Sequence, residues 1–518
     1  MKILFSYVLS AVSAAARGST RIGAETSTVA GASNRHAIKN TTRKGCITCT
    51  LSFVNVAENP VFSLHIDKPG ELCYTWGRMI LPGGEGFFMK IKTKDMDYAE
   101  VLARKPRRRL PPHRPNLLFR TLFAALSAPE LRRVAFSCKK EGMERLGRHE
   151  PCLYLMNHSC FTDLKIAAHL LYPRPFQIVC TSDGFVGKAW LMRHMGCIPT
   201  NKFVSDPALV RDMLFSLRVL HSSVLMYPEA SYSFDGTATP LPDSLGRCLK
   251  LLGVPVVMIT TEGAFAHDPL YNGLQPRRVR VSATMKYLLS PAEIEEADEG
   301  ELMERLRAEF SFDNFRWQQE RGVRVAEPFR ADGLNRVLYK CPHCLQEGEM
   351  HGEGTEIICR RCGHGYTLTE DGRLSPLGGG EGKFAHIPDW YRWERACVRQ
   401  EIEAGTYRLD VPVTIRMMVD TSAVYRVGEG RLVHTAEGFS LTGCGGRLDY
   451  RQKPAASYSL YADYFWYEIG DMICLGNNRV LYYCFPQGGA DVVAKTRLAT
   501  EELYKMTMAH LRRPTLCG

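Results

Sequence analysis

The chain has 518 residues, 45% of them hydrophobic and 23% charged, with a formal net charge of +11 and 18 cysteines. That length exceeds one ordinary domain and suffices for two or three cores, and the balance is that of a globular protein rather than a disordered or collagen-like one. No window reaches the roughly eighteen uninterrupted apolar residues that a spanning helix needs, which excludes an obvious transmembrane segment.

Residues 1–88 differ from the rest of the chain. They open with MKILFSYVLSAVSAAARG, which has a lysine, a short apolar run and small residues near its end, the outline of a secretory signal. Cysteine usage argues the other way, because paired CxxC units further on need reduced thiols and hence a cytosolic setting. The run GGEGFF just before Met89 reconciles the two. Its codons are purine-rich for Gly and Glu and mostly pyrimidine for Phe, as a bacterial ribosome-binding site and spacer would be. The expected start is therefore Met89, with residues 1–88 an atypical extension in which the CxxC of Cys46 and Cys49 carries no chemistry.

From Met89 to Glu327 short apolar runs alternate with helical stretches. CLYLM, FQIVC, SVLMYP and VPVVMIT read as strands; DLKIAAHLLY and PALVRDMLFSLRVLH repeat apolar residues every three or four positions and read as helices. The alternation predicts an α/β domain, a mostly parallel sheet flanked by helices. Ahead of it the basic run KPRRRLPPHR, Lys105 to Arg114, precedes NLLFRTLFAALSAPELRR, Asn116 to Arg133. Basic residues beside an amphipathic helix suit an anionic lipid surface, and equally a solvated arm before a core helix. A long helix closes the domain, started by Ser290, Pro291 and a capping box with Glu293.

Within that frame His158 sits where the strand CLYLM ends, with Asp163 five positions on, after a helix has begun. Loops at strand ends are where α/β folds place chemistry. A carboxylate there can hold the imidazole in the tautomer that leaves its other nitrogen free as a base. By itself the spacing is weak: with 15 histidines in the chain, HxxxxD should occur about once by chance. Three further blocks, in order along the chain, give it weight: MGCIPTNKF at Met195 to Phe203, LMYPEASYS at Leu225 to Ser233, and GVPVVMI at Gly253 to Ile259.

On these blocks the sequence resembles the glycerolipid acyltransferase family, of the lysophosphatidic-acid (1-acylglycerol-3-phosphate) acyltransferase type. Asn157, His158 and Asp163 match its first block, Asn-His-x4-Asp. Gly196, with Lys202 in place of an arginine, meets its second. Tyr227, Pro228, Glu229, Ala230, Ser231, Tyr232 and Ser233 stand at its third, Phe-Pro-Glu-Gly-Thr-Arg-Ser. Val254 to Ile259 around Pro255 meet its fourth. The match runs over roughly residues 115–310. It implies an O-acyltransferase of phospholipid biosynthesis in which His158 and Asp163 are catalytic and Asn157, Gly196, Lys202, Pro228, Glu229 and Ser231 bind substrate or support the site. It also implies an acyl-coenzyme A or acyl-carrier protein as donor and a lysophospholipid such as 1-acyl-glycerol-3-phosphate as acceptor. Lysine for arginine, and Tyr232 at the other arginine, replace rigid two-pronged donors by a point charge and one hydroxyl, which puts the phosphate on the acceptor in question.

Beyond this region Cys341-Pro-His-Cys344 and Cys359-Arg-Arg-Cys362 stand 14 residues apart. Each CxxC turn aims two thiolates at one point, so the pair reads as a zinc ribbon over 335–372, closed by four ligands and hence structural. The linker PLGGGEGK then leads to residues 385–518, where a helix-like DWYRWERACVRQEIEAG precedes short alternating runs and a closing helical stretch, AKTRLATEELYKMTMAHL. A small β-barrel or sandwich with a C-terminal helix, similar to a pleckstrin-homology-like fold, is expected. Two functions are compatible with these signals: an acyltransferase held peripherally on the cytoplasmic face of the inner membrane, or an acyltransferase-like fold that has lost its acceptor site and binds lipid or protein. The C-terminal half lacks the broad basic surfaces that a nucleic-acid partner would require. N-terminal sequencing of natively expressed protein is expected to begin at Met89; any residue upstream of it sinks that start.

Overall fold

The computed structural model describes residues 35–41, 48–56, 59–66, 91–106, 109–488 and 491–512. The signal-like segment, Cys46, GGEGFF, Met89, Arg107 and Arg108 lie outside the described residues. The chain divides into two compact units, Met1–Phe87 and Phe88–Gly518. In the first, β1 (Arg35–Thr41), β2 (Thr48–Val56) and β3 (Asn59–Ile66) form an antiparallel meander.

The second unit begins with β4 (Thr93–Asp95). Its α/β sheet comprises β5 (Ser137–Glu141), β6 (Leu153–Met156), β7 (Phe176–Thr181), β8 (Cys197–Thr200), β9 (Ser223–Met226), β10 (Val256–Glu262) and β11 (Ser282–Leu289). The strand order is β5-β11-β10-β6-β9-β7-β8. Neighbours run parallel except β10 and β11. Alternation along β6 splits the core in two: Tyr154 and Met156 join the cluster of Ile166, Leu171 and Ile259, whereas Leu153 and Leu155 join that of Leu217, Leu249 and Leu306. Helices Leu117–Arg133 and Thr162–Leu171 cover one face; Pro207–Arg218, Leu245–Leu252 and Glu299–Phe310 cover the other.

Three expectations need correction. The closing helix is two helices, Pro291–Glu296 and Glu299–Phe310, because Asp298 starts a second capping box with Glu301 within the same charged stretch. Leu117–Arg133 does not divide into an apolar and a polar face: Leu117 and Leu118 are exposed at its start while Phe119, Leu126 and Leu131 are buried. Within the basic run Arg109 turns inward, pairing with Asp206 and Asp212 at 2.7 Å each and donating to the Pro199 carbonyl at 3.0 Å.

The cysteine segment forms a small antiparallel sheet, β12 (Met350–Glu353), β13 (Glu356–Cys359), β14 (Gly365–Leu368) and β15 (Leu374–Pro376). After helix Ile387–Glu403 come β16 (Leu409–Met418), β17 (Val424–Thr435), β18 (Gly438–Gly443), β19 (Leu448–Gln452), β20 (Tyr461–Trp466), β21 (Gly470–Gly476) and β22 (Leu481–Pro486), and then helix Val493–Arg512. These strands pair antiparallel in the order β19-β18-β17-β16-β22-β21-β20. β4 adds to β17 in parallel, so the first described residues after 90 belong to the C-terminal sheet rather than to the α/β sheet. Beside the two clusters on the faces of its sheet, the α/β region shares a third with the segments that follow. One cluster of buried side chains takes in Phe234, Phe265 and Phe315 of the α/β region, Cys341, Ile357 and Cys359 of the cysteine segment, and Trp390, Val413, Ile415 and Leu498 beyond it.

Candidate active site and cysteine cluster

The site is built at the C-terminal end of β6, which lies between β10 and β9 at the centre of the sheet. The apolar run of β6 stops at Met156, and Asn157 turns the chain out. Its side chain ties that turn to β10: Thr261 N–H donates to Asn157 Oδ1 at 2.8 Å, and Asn157 Nδ2 donates to the Thr261 carbonyl at 3.2 Å. Asp163 lies fully buried in the first turn of Thr162–Leu171. Its Oδ2 accepts the backbone N–H groups of Ser159 at 2.7 Å and Cys160 at 3.0 Å, and stands 3.3 Å from His158 Nδ1. The carboxylate thus shapes the turn and orients the imidazole at once.

His158 keeps 18% of its side chain exposed, enough for contact with a ligand. Burial holds its pKa below the usual histidine value against the opposing pull of Asp163, so the ring stays neutral and can accept a proton. Two tyrosines enclose it: the Tyr227 ring stacks at 4.1 Å between centroids and Tyr232 tilts against it at 4.3 Å. Glu229, buried beneath the loop after β9, bridges the blocks. Its Oε2 accepts the His158 backbone N–H at 2.8 Å, and its Oε1 accepts the Thr239 backbone N–H at 2.8 Å and hydroxyl at 3.2 Å. Burial pushes its pKa up to about 7, against the bonds from Thr239 and His158.

The structure therefore brings together Asn157, His158, Asp163 and Glu229, with Pro228 buried beside Glu229 and Ala230 at a positive φ of 55°. Ser231 donates its hydroxyl to the Tyr232 carbonyl at 3.2 Å. Lys202 stands in the loop after β8, its ammonium 4.3 Å from the Tyr461 ring centroid, and burial lowers its pKa. Gly196 lies apart, at the turn into β8. Its φ is +87°, and a Cβ there would stand 2.4 Å from Pro115 Cγ, so only glycine lets the N-terminal arm lie against the sheet edge. Sequence reasoning missed Thr261, Thr239 and, above all, Arg497. This buried arginine of helix Val493–Arg512 donates to Ser231 Oγ at 3.3 Å and to the Tyr232 carbonyl at 3.4 Å. No local spacing could have pointed to it, since it reaches the third block from the far end of the chain.

Cys341, Cys344, Cys359 and Cys362 form a second constellation, their sulfurs all within 4.8 Å of one another. Cys341 to Cys362 and Cys344 to Cys359 measure 3.7 Å each, and none of the four is in a disulfide. A tetrahedron with metal–sulfur bonds of about 2.3 Å has edges of about 3.8 Å, so the cluster could hold a metal ion and fits zinc. Cys341 and Cys359 also pack into the shared core.

Residues 137–262 match the Acyltransferase family model. Among solved structures the chain is similar to the 1-acyl-sn-glycerophosphate (LPA) acyltransferase PlsC from Thermotoga maritima, at 14% identity over 37% of this chain and 76% of that one, with a TM-score of 0.31. No curated protein matches the chain.

Two outcomes are expected. Replacing Glu229 by Ala strands the His158 and Thr239 N–H groups, at a cost of about 1–3 kcal/mol each in stability, and loosens the loops around the imidazole, lowering kcat by about 10²-fold; urea titration and steady-state kinetics measure both. Chelation, or Cys341→Ser, is expected to lower the unfolding temperature of the α/β region together with the β-rich segment in one transition, because they share a core with the cluster; calorimetry with metal analysis checks it.

Proposed function

From the match of residues 137–262 to the Acyltransferase family model, we propose that the protein is an acyltransferase of the glycerolipid type, moving a fatty acyl group from a thioester donor to the hydroxyl of a lysophospholipid. The observation that carries this is a neutral, partly exposed His158 oriented by a buried Asp163 at the end of the central strand. With Nδ1 held by Asp163, the other ring nitrogen takes the acceptor's hydroxyl proton as its oxygen attacks the thioester carbonyl. Asp163 stabilises the imidazolium. As the tetrahedral intermediate collapses, the carbon–sulfur bond breaks and the imidazolium returns the proton to the departing thiolate, giving ester and thiol. Thiolate leaves readily, so no covalent enzyme intermediate is needed. Acyl-coenzyme A or acyl-carrier protein is the donor, and 1-acyl-glycerol-3-phosphate is the acceptor that the family resemblance implies.

The cysteine cluster holds a structural zinc in this reading, its four protein ligands leaving no open position. Attachment to a membrane surface, in this reading the cytoplasmic face of the inner membrane, accords with the exposed side chains of Leu117 and Leu118 at the start of Leu117–Arg133 and of Trp190, whose ring meets Phe119 at 6.0 Å. Among the described residues no helix is long and apolar enough to cross a membrane.

Thiol release from acyl-coenzyme A and acyl-carrier protein donors, with lysophospholipids presented in anionic vesicles, tests the proposal. Turnover is expected with the natural chain, falling at least about 10³-fold in His158→Ala, and the protein is expected to sediment with the vesicles. A zinc-loaded, folded protein that releases no thiol across the panel would favour the binding-module alternative suggested by Tyr232.

A further inference from the structure

The loop after β9 takes hold of His158 at its backbone and at its ring. Glu229 Oε2 accepts the His158 N–H at 2.8 Å, and the Ser233 N–H donates to the His158 carbonyl at 3.2 Å. The rings of Tyr227 and Tyr232 lie against the imidazole, 4.1 and 4.3 Å between centroids. The place of the imidazole is therefore set by the place of this loop. The turn in its middle is a tight one: the Ala230 N–H donates to the Tyr227 carbonyl at 3.0 Å, and Ala230 holds a φ of +55°. An alanine keeps that left-handed conformation where its surroundings enforce it.

Part of that enforcement comes from the last helix. Arg497 donates to Ser231 Oγ at 3.3 Å and to the Tyr232 carbonyl at 3.4 Å, and Ser231 donates its hydroxyl to the same carbonyl at 3.2 Å. Guanidinium, hydroxyl and carbonyl thus close a triangle directly after Ala230. The guanidinium is itself fixed: its Nε donates to Glu501 Oε1 at 3.2 Å, an oxygen that also accepts the Ser459 hydroxyl at 2.7 Å. It lies 4.4 Å from the Phe234 ring centroid, and Phe234 packs on Tyr464 at 4.7 Å. With 3% exposure Arg497 offers no surface to a ligand, so what it does for the site passes through the loop. A planar fork with several donors can hold two acceptors and a carboxylate together, which a single ammonium cannot do in one geometry. The β-rich segment also fastens the loop after β8, where Ser457 donates its hydroxyl to the Phe203 carbonyl at 3.1 Å.

We propose that Arg497 is a positioning residue for acyl transfer: from helix Val493–Arg512 it fixes the Ser231–Tyr232 turn and, through the Tyr232 ring, the imidazole of His158. The α/β region is catalytically incomplete without the last helix. The inference rests on the acyl-transfer reading and adds to that same site a residue from outside residues 137–262.

The test uses the full chain, zinc-loaded, with acyl-coenzyme A and acyl-carrier protein donors and a panel of lysophospholipids differing in headgroup. Thiol release is compared in the natural protein, His158→Ala, Arg497→Ala, Arg497→Lys, Tyr232→Ala, and Tyr232→Ala combined with each Arg497 change, all checked for zinc content and urea midpoint. Arg497→Ala is expected to lower kcat about 10²-fold with KM within about threefold of the natural value, and Arg497→Lys, which keeps the charge beside Glu501, to lower it about tenfold. In the Tyr232→Ala background either Arg497 change is expected to cost less than about threefold more, because the ring it positions is gone. Where Arg497→Ala does not fold, Arg497→Lys decides by the same two readings. A kcat that the folded Arg497 variants leave unchanged, a loss confined to KM, or an equal loss with and without the Tyr232 ring overturns the proposal while His158-dependent turnover keeps acyl transfer standing. Absence of His158-dependent thiol release across the panel overturns acyl transfer, and the positioning assignment with it.

Discussion

One carboxylate oxygen organises the turn that carries His158. Asp163 Oδ2 gathers two backbone N–H groups and the imidazole of His158 within 3.3 Å, from a position with no exposure to solvent. A buried carboxylate is tolerated where donors surround it, and here those donors are the residues that must be placed. The turn between β6 and its helix and the orientation of the imidazole therefore depend on the same group. Glu229 repeats the arrangement from the next strand, one oxygen accepting from the His158 backbone and the other from Thr239. Between them the two acids lock a loop that a sheet edge alone would leave free.

The second constraint is the shared core. The cysteine segment is not a detachable module: Cys341 and Cys359 pack in one cluster with Phe265, Trp390 and Leu498. A metal in the cysteine cluster would therefore fix a joint between the α/β region and the β-rich segment, and its binding energy would count toward the stability of both. The ionic contacts in the β-rich segment have the same logic: Arg395 of helix Ile387–Glu403 pairs with Glu501 at 2.7 Å, and Glu501 in turn orients Arg497 beneath the third block.

Much of this was legible in the sequence because the signals were local. The strands around β6, β7, β9 and β10, the His158–Asp163 spacing and the paired CxxC turns each depend on neighbours a few residues away, and periodicity or ligand spacing reports such things directly. What stayed hidden was set by tertiary contact. Asn157 and Gly196 stood in blocks whose order suggested substrate contact, whereas their visible partners are Thr261 and Pro115. Asp298 read as one more acid in a charged helix until its second capping box divided it. Arg109 reads as part of a run facing anionic lipid or solvent, but two aspartates on Pro207–Arg218 and just before it draw it in. Arg497 carries no motif at all.

The pairing of β4 with β17 sets Asp95 against Arg426, 331 residues apart in sequence. A ribosome adding roughly 5–20 residues per second needs tens of seconds to cover that interval. Through it β4 waits as an unpaired edge, and Tyr232 waits a further stretch for Arg497, 265 residues on from it. The nascent chain thus completes its α/β sheet long before the segment that holds the loops after β8 and β9 exists. Synthesis order itself leaves the loop of Ser231 and Tyr232 without its arginine until the last helix emerges.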